Sequence, residues 1–98
     1  MKAEALQAMA QPTRLKILEC LRGGERCVCE IFPAIDEEQS NVSRHLAVLR
    51  KAGLVTSWKE GPRVIYKVKN PDIFKIIDAI GSIIKAQYKE SEALVKQL

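Results

Sequence analysis

The chain has 98 residues, 47% of them hydrophobic and 29% charged, with a formal net charge of +4, three cysteines and one histidine. That length fits one small domain with much of its surface left in solvent; no run is apolar for long enough to cross a membrane, and Glu4 and Gln7 interrupt the N-terminus where a secretory leader needs an unbroken apolar core. The lone histidine, the lack of a glycine-rich phosphate loop and the lack of a nucleophile spaced from a base speak against an enzyme, and nothing calls for a permanent cofactor, while the basic balance permits a nucleic-acid partner.

In chain order, Ala5, Leu6 and Met9 recur at helical spacing and mark a short amphipathic helix over residues 1–10. Pro12 ends it and opens a second helix, where its missing N–H costs nothing, with Leu15, Leu18 and Leu21 as the expected core stripe and Gly23-Gly24 as the stop. Glu25 to Cys29 reads as a connection, Glu30 to Ile35 as a brief helix interrupted by Pro33, and residues 36–39 as a polar turn. Gln39 to Gly53 is the most informative stretch. At about 100° per residue, Val42, Leu46 and Leu49 share one stripe, while Ser40, Ser43, Arg44, Ala47 and Lys51 lie opposite. That outer face has no carboxylate and offers hydroxyls and cations, which suits phosphates and base edges. Ser40 is the expected N-cap and Gly53 the C-terminal stop. Residues 30–53 therefore form a helix-turn-helix whose second helix reads DNA.

Leu54 to Lys59 and Arg63 to Lys69 are rich in β-branched and aromatic residues around a Glu60-Gly61-Pro62 turn. They predict a two-stranded hairpin over about 54–69, a wing with Lys59, Arg63 and Lys67 at and near its tip. Asn70-Pro71-Asp72 starts a final helix running to about Lys96, with Ile73, Ile76, Ile77, Ile80, Ile83, Ile84, Tyr88 and Leu94 on one side. Such a stripe needs a partner surface, which pairing of helices 1–10 and 71–97 across a two-fold axis would supply. The predicted fold is mainly α with a two-stranded β-hairpin: a single winged helix-turn-helix domain in the order α-α-α-α-β-β-α, homodimeric through its terminal helices.

A cytoplasmic location follows from the absence of a leader, and in that reducing compartment Cys27-Val28-Cys29 points to metal binding or redox sensing rather than a structural disulfide. In a regular helix residues two apart diverge by about 200°, so both thiols reach one ion only where the backbone is extended or unwound. Pro33 makes such unwinding cheap, and a soft ion bound there would shift the following helix out of register with DNA. Arg26 is expected to favour the thiolate form. The alternative for both cysteines is ordinary burial. Cys20 reads as core, or as a possible third ligand. Candidate DNA contacts are Gln39, Ser40, Asn41, Ser43 and Arg44, with Lys51, Lys59 and Arg63 on phosphates; His45 either contacts a phosphate or is held inside. Trp58 and Tyr66 read as packing within the hairpin. Other readings are the same fold sensing cadmium, lead or thiol oxidation, and a winged-helix DNA-binding or architectural module without a ligand.

Taken together, Ala10-Gln11-Pro12-Thr13-Arg14, Cys27-Val28-Cys29-Glu30, Ser40-Asn41-Val42-Ser43-Arg44-His45-Leu46, Val48-Leu49-Arg50, Ala52-Gly53-Leu54-Val55 and Tyr66 resemble the ArsR/SmtB family of winged-helix metalloregulatory repressors. The resemblance implies a homodimer on an inverted-repeat operator, released by its inducer, and it matches Cys27 and Cys29 to the Cys-Val-Cys element of the arsenic-responsive branch, whose inducers are arsenite and antimonite. Two departures accompany it. The branch's third cysteine, three residues after the second, is here Phe32, which leaves a three-thiolate site one ligand short; Cys20, Glu30, a water or a small exogenous thiol could complete it. The zinc-responsive branch carries Asp and His on its last helix, and this last helix has no His.

Overall fold

The computed structural model describes residues 1–97. Its elements are α1 (Lys2–Met9), α2 (Pro12–Cys20), β1 (Arg26–Cys27), α3 (Val28–Ala34), α4 (Gln39–Lys51), β2 (Val55–Glu60), β3 (Arg63–Val68) and α5 (Asp72–Gln97). None of the described helices is long and apolar enough to cross a membrane.

The core is made where α2, α3 and α4 meet. Ile17 and Leu18 of α2, Ile31 of α3, and Val42, Leu46 and Leu49 of α4 are fully buried, and Met9, Leu21, Val55, Tyr66, Val68 and Ile73 close around them. The α4 stripe is thus the predicted one. In α2 it is not, because Leu15 is 37% exposed and Ile17 takes the inner position. Steps of three fall about 60° short of a full turn, so Leu15 drifts off the face that Ile17, Leu18 and Leu21 share. In α1, Leu6 likewise faces out and Ala8 with Met9 face in.

Local chemistry sets the element ends. Gln11, in extended backbone, accepts the Arg14 N–H at 2.8 Å on its side chain, and Pro12 follows as the first helical residue. Between α3 and α4 the chain turns through Asp36, whose φ is +55°, a conformation Asp tolerates better than most residues. At the end of α4 the Leu54 N–H bonds the Leu49 carbonyl at 3.0 Å and the Gly53 N–H bonds that of Arg50 at 3.0 Å. This pairing needs φ +79° at Gly53, where an added Cβ would meet nothing but would suffer the left-handed backbone. Gly53→Ala is therefore expected to lower stability by about 1–2 kcal/mol in denaturant unfolding, through backbone strain alone.

The sheet has three strands in the order β1-β3-β2. The predicted hairpin is present, running from Val55↔Val68 to Glu60↔Arg63 around Gly61-Pro62. The sequence reading missed β1, which pairs Arg26↔Tyr66 and Cys27↔Ile65 on the other edge of β3. Two residues carry no alternation to read, so the segment looks like a connection. α3 also starts at Val28 rather than Glu30, and it runs one residue past Pro33 instead of breaking there. The full order is α-α-β-α-α-β-β-α.

Only the start of α5 is docked. Ile73 is buried, with Phe74 and Ile77 packed against the core. Arg22 clamps it by pairing with Glu19 at 2.6 Å and Asp78 at 2.9 Å while lying 4.8 Å from the Phe74 ring centroid. Beyond that point Ile76, Ile80, Ile83, Ile84, Tyr88 and Leu94 are 47–69% exposed, on a rod that stretches the molecule to 61 × 30 × 21 Å.

Candidate functional site

The outer face of α4 presents Gln39, Ser40, Ser43, Arg44 and Lys51 to solvent with no carboxylate of its own, while Asp36, Glu37 and Glu38 of the preceding turn line one hollow with Ser40 and Arg44. Ser40 is not the N-cap: α4 begins at Gln39, Glu38 takes the cap position, and no side chain caps it. The turn at Asp36 brings the chain into helical geometry one residue before Ser40 could act. Ser40 is left in the first turn with its hydroxyl outward. Lys51 stands at the far end, about 18 Å along the axis from Gln39, beside a hollow lined by Glu4, Gln7 and Arg14. That separation is too long for Lys51 and the first turn to meet at one phosphate.

Two candidate contacts turn inward. The Asn41 amide nitrogen donates to Glu37 Oε1 at 2.7 Å, while its oxygen accepts from Arg44 at 2.6 Å. His45 is half-buried with Nδ1 at 3.2 Å from the Arg14 guanidinium, which in turn donates to the Ala8 carbonyl at 2.6 Å and the Gln7 carbonyl at 3.4 Å. A ring nitrogen facing a guanidinium has to accept, so the imidazole is neutral and ties α4 to the α1–α2 corner instead of reaching a phosphate. Burial first, then the charges of Arg14 and Arg44, hold its pKa below the usual 6.5, against a smaller opposing pull from Glu37. Below pH 6.5 the unfolded chain takes up this proton more readily than the folded one, so folded stability falls from there down to the folded-state pKa. Thermal unfolding should show a drop between neutral and mildly acid pH that His45→Gln reduces.

On the wing, Lys59 is exposed and Arg63 faces Glu60 across the turn. Arg63 is not free: its guanidinium lies 3.0 Å from Glu30 Oε1, the two side chains being 49% and 47% exposed. An exposed pair of this kind is worth about 0–1 kcal/mol, so a phosphate competes for the arginine on near-equal terms. Trp58 lies opposite Ile65 and donates its indole N–H to Glu60 at 3.0 Å, whereas Tyr66 lies opposite Ser57 and enters the core. Both pack the hairpin as predicted, though not against each other. Arg44→Ala is expected to cut the preference for a selected duplex over mixed-sequence DNA about fivefold to 150-fold. Lys59→Ala should weaken both DNAs alike and lower the salt slope of binding by about 1, as fluorescence anisotropy across a salt series would show.

The cysteine pair sits where β1 becomes α3. Cys27 is extended (φ −68°, ψ 147°) and buried, its N–H donates to Glu30 Oε1 at 3.0 Å, and its Sγ accepts the Cys29 N–H at 3.1 Å. Cys29 is exposed in the first turn of α3, 5.1 Å away between Cα atoms, and the two sulfurs are joined as a disulfide where separate thiols were expected. The expected unwinding is also not needed. Because Cys27 caps the helix from outside, its side chain leans over the first turn and the sulfurs meet with α3 intact. Arg26, expected beside the thiols, instead donates to the Cys20 carbonyl at 3.1 Å.

Cys20 does not join the pair. It is a half-buried free thiol whose pKa burial raises, and it lines a separate hollow of about 660 Å³ with Leu15, Lys16 and Ile35. Among the described residues no three His, Cys, Asp or Glu side chains are grouped to hold a metal ion.

The pair does share a hollow of about 250 Å³ with Gln39 and Ser43 of α4 and with Pro62, Arg63, Val64 and Tyr66 of the wing. Glu30 links the two sides, since one oxygen accepts from both the Cys27 N–H and Arg63. Sequence reasoning offered Glu30 only as a ligand that could complete the cysteine site, although Cys27-x-x-Glu30 has the spacing of a capping box with sulfur in place of a hydroxyl. It passed over Glu37, whose partner Thr13 lies 24 residues away, with no local signal to reveal the contact.

A cationic helix without carboxylates of its own, beside a basic hairpin, defines a winged helix-turn-helix DNA-binding domain. Residues 11–57 match the model of the bacterial regulatory protein, arsR family. The chain is 32% identical over 99 residues to the HTH-type transcriptional regulator Rv0081 of Mycobacterium tuberculosis, covering all of this chain and 87% of that one. The crystal structure of Rv0081 superposes with a TM-score of 0.81 at 33% identity, over 91% of this chain and 90% of that one. The arsenical resistance operon repressor of Escherichia coli is 36% identical over 100 residues, covering 97% of this chain and 82% of the repressor. A homodimeric winged helix-turn-helix DNA-binding domain from Mycobacterium bovis, Mb0332, superposes with a TM-score of 0.78 at 28% identity, over 90% of this chain and 82% of that one. The chain belongs to the arsR family, whose members are DNA-binding transcriptional regulators of the ArsR/SmtB type, repressors among them.

Proposed function

We propose that this chain is a cytoplasmic, homodimeric repressor that binds double-stranded DNA at an inverted repeat and is released by arsenite or antimonite at Cys27 and Cys29. The observation that carries the reading is the position of the pair: it shares a hollow with Gln39 and Ser43 of the base-reading helix and with Arg63 of the wing, and Glu30 bonds both Cys27 and Arg63. Similarity to a relative named for arsenical resistance supports the inducer. The unpartnered apolar face of α5, together with a homodimeric structural neighbour, supports the dimer.

The chemistry requires the reduced pair. Arsenous acid and two thiols form two As–S bonds and release two waters, each thiol proton leaving on a departing hydroxyl; the third hydroxyl stays on arsenic or is exchanged for a small added thiol. No change of oxidation state is involved. Fixing both sulfurs to one centre resets the Cys27 backbone, hence the Cys27–Glu30 bond, hence the hold of Glu30 on Arg63 and the seat of the first turn of α4.

Two thiolates alone do not select among soft ions. Cadmium and lead therefore belong in the test. A second reading, release by thiol oxidation, rests on the sulfur–sulfur bond within the pair. The deciding experiment is an anisotropy titration of the reduced protein on a duplex enriched by it from a randomised pool, with arsenite, antimonite, cadmium, lead, zinc and peroxide. Release by arsenite and antimonite at near-stoichiometric amounts is the expected result. Release by peroxide alone selects the oxidation reading, and binding that persists in all six selects a ligand-independent regulator.

A further inference from the structure

Glu37 lies in the turn between α3 and α4, and its side chain is 17% exposed. Oε1 accepts from Thr13 Oγ1 at 2.8 Å and from the Asn41 amide nitrogen at 2.7 Å. Oε2 is buried without a hydrogen-bond partner, its nearest cation being Lys16 at 3.6 Å. A carboxylate only accepts, so Asn41 must turn its nitrogen inward and its oxygen outward. That outward oxygen is the acceptor that Arg44 meets at 2.6 Å, one turn along α4. The guanidinium direction on the DNA-facing side is thus set two bonds away, by a residue that is not on that face.

We propose that Glu37 is a specificity-determining positioning residue: through Asn41 it aims Arg44 at the base edges. The proposal rests on reading α4 as the helix that enters the groove. A carboxylate next to a phosphate-binding surface weakens DNA binding by charge alone, so removing it should strengthen non-specific binding. Positioning acts in the opposite direction on sequence preference. The two effects are therefore separable by sign.

The test compares affinity for a duplex enriched from a randomised pool with affinity for mixed-sequence DNA. In Glu37→Ala the inward acceptor is gone, so Asn41 is no longer held with its nitrogen inward and Arg44 loses its fixed acceptor. The expected result is a preference lowered about tenfold, with non-specific affinity unchanged or raised. Glu38→Gln removes the neighbouring charge without touching this network, and should leave the preference intact. Asn41→Ala, which keeps Glu37 paired with Thr13, should reproduce the loss. In an Arg44→Ala background Glu37→Ala should cost no further preference. An unchanged preference in Glu37→Ala, or an equal fall when Arg44 is already absent, overturns the proposal. If the wild-type protein enriches no sequence at all, the reading of α4 itself falls, and the proposal with it.

Discussion

With Cys27 and Cys29 both replaced by Ser, arsenite is expected to leave the protein on its DNA. The wild-type protein should release the same duplex at near-stoichiometric arsenite, with an affinity loss of at least tenfold. Basal binding should survive in the variant, because neither sulfur lies on the outer face of α4 and a Ser at position 27 still offers the Cys29 N–H an acceptor. Single variants separate the two roles. Cys29→Ser removes the exposed sulfur by which an ion would enter and should abolish the response with little change in stability. Cys27→Ser places a hydroxyl where a buried sulfur stood, and so is expected to cost some stability as well. Cys20→Ser should leave the response intact, since that thiol lines another hollow.

The second large effect is expected on α5. Ile80 and Ile84 are 52% and 59% exposed in the single chain, one turn apart on the stripe that continues to Tyr88. In a dimer seam, Glu at both positions would bury two unpaired carboxylates from each protomer, which costs far more than the lost apolar contact. Ile80→Glu/Ile84→Glu should sediment as a monomer. The core of α2, α3 and α4 does not include either residue, so the monomer should keep its helical circular dichroism. DNA affinity should fall on the order of 100-fold or more, because two half-sites bound together gain from effective concentration and one alone does not.

How much of this was open to reading depended on whether the signal was periodic. Val42, Leu46 and Leu49 follow the helical repeat closely enough to place α4, its buried face and its outer face from spacing alone. The hairpin followed from two β-rich runs around Glu60-Gly61-Pro62, though its register, with Glu60 paired to Arg63, did not. The stripe of α5 could be read too, and its exposure in the single chain gives the same message as its length. What escaped was non-local or too short. β1 is two residues long and exists only because β3 offers an open edge. The inward turns of Asn41 and His45 depend on Glu37 and Arg14, whose side chains arrive through tertiary packing. A helical wheel assigns Asn41 and His45 to the flank of the stripe and cannot say which way the flank bonds. The sulfur pair was placed correctly in extended backbone at Cys27 but wrongly in unwound backbone at Cys29, since the wheel argument assumed both residues to be in the same kind of structure.

The central claim is that sulfur chemistry between β1 and α3 is felt at the wing and at the first turn of α4. Amide hydrogen exchange of the reduced, DNA-free protein, followed residue by residue with and without one equivalent of arsenite, tests it most directly. Changed protection is expected at Cys27–Glu30, at Gly61–Val64 and at Gln39–Ser43, with the middle of α5 unaltered. Bound arsenite that leaves all three segments unchanged, or that alters α5 alone, would contradict it.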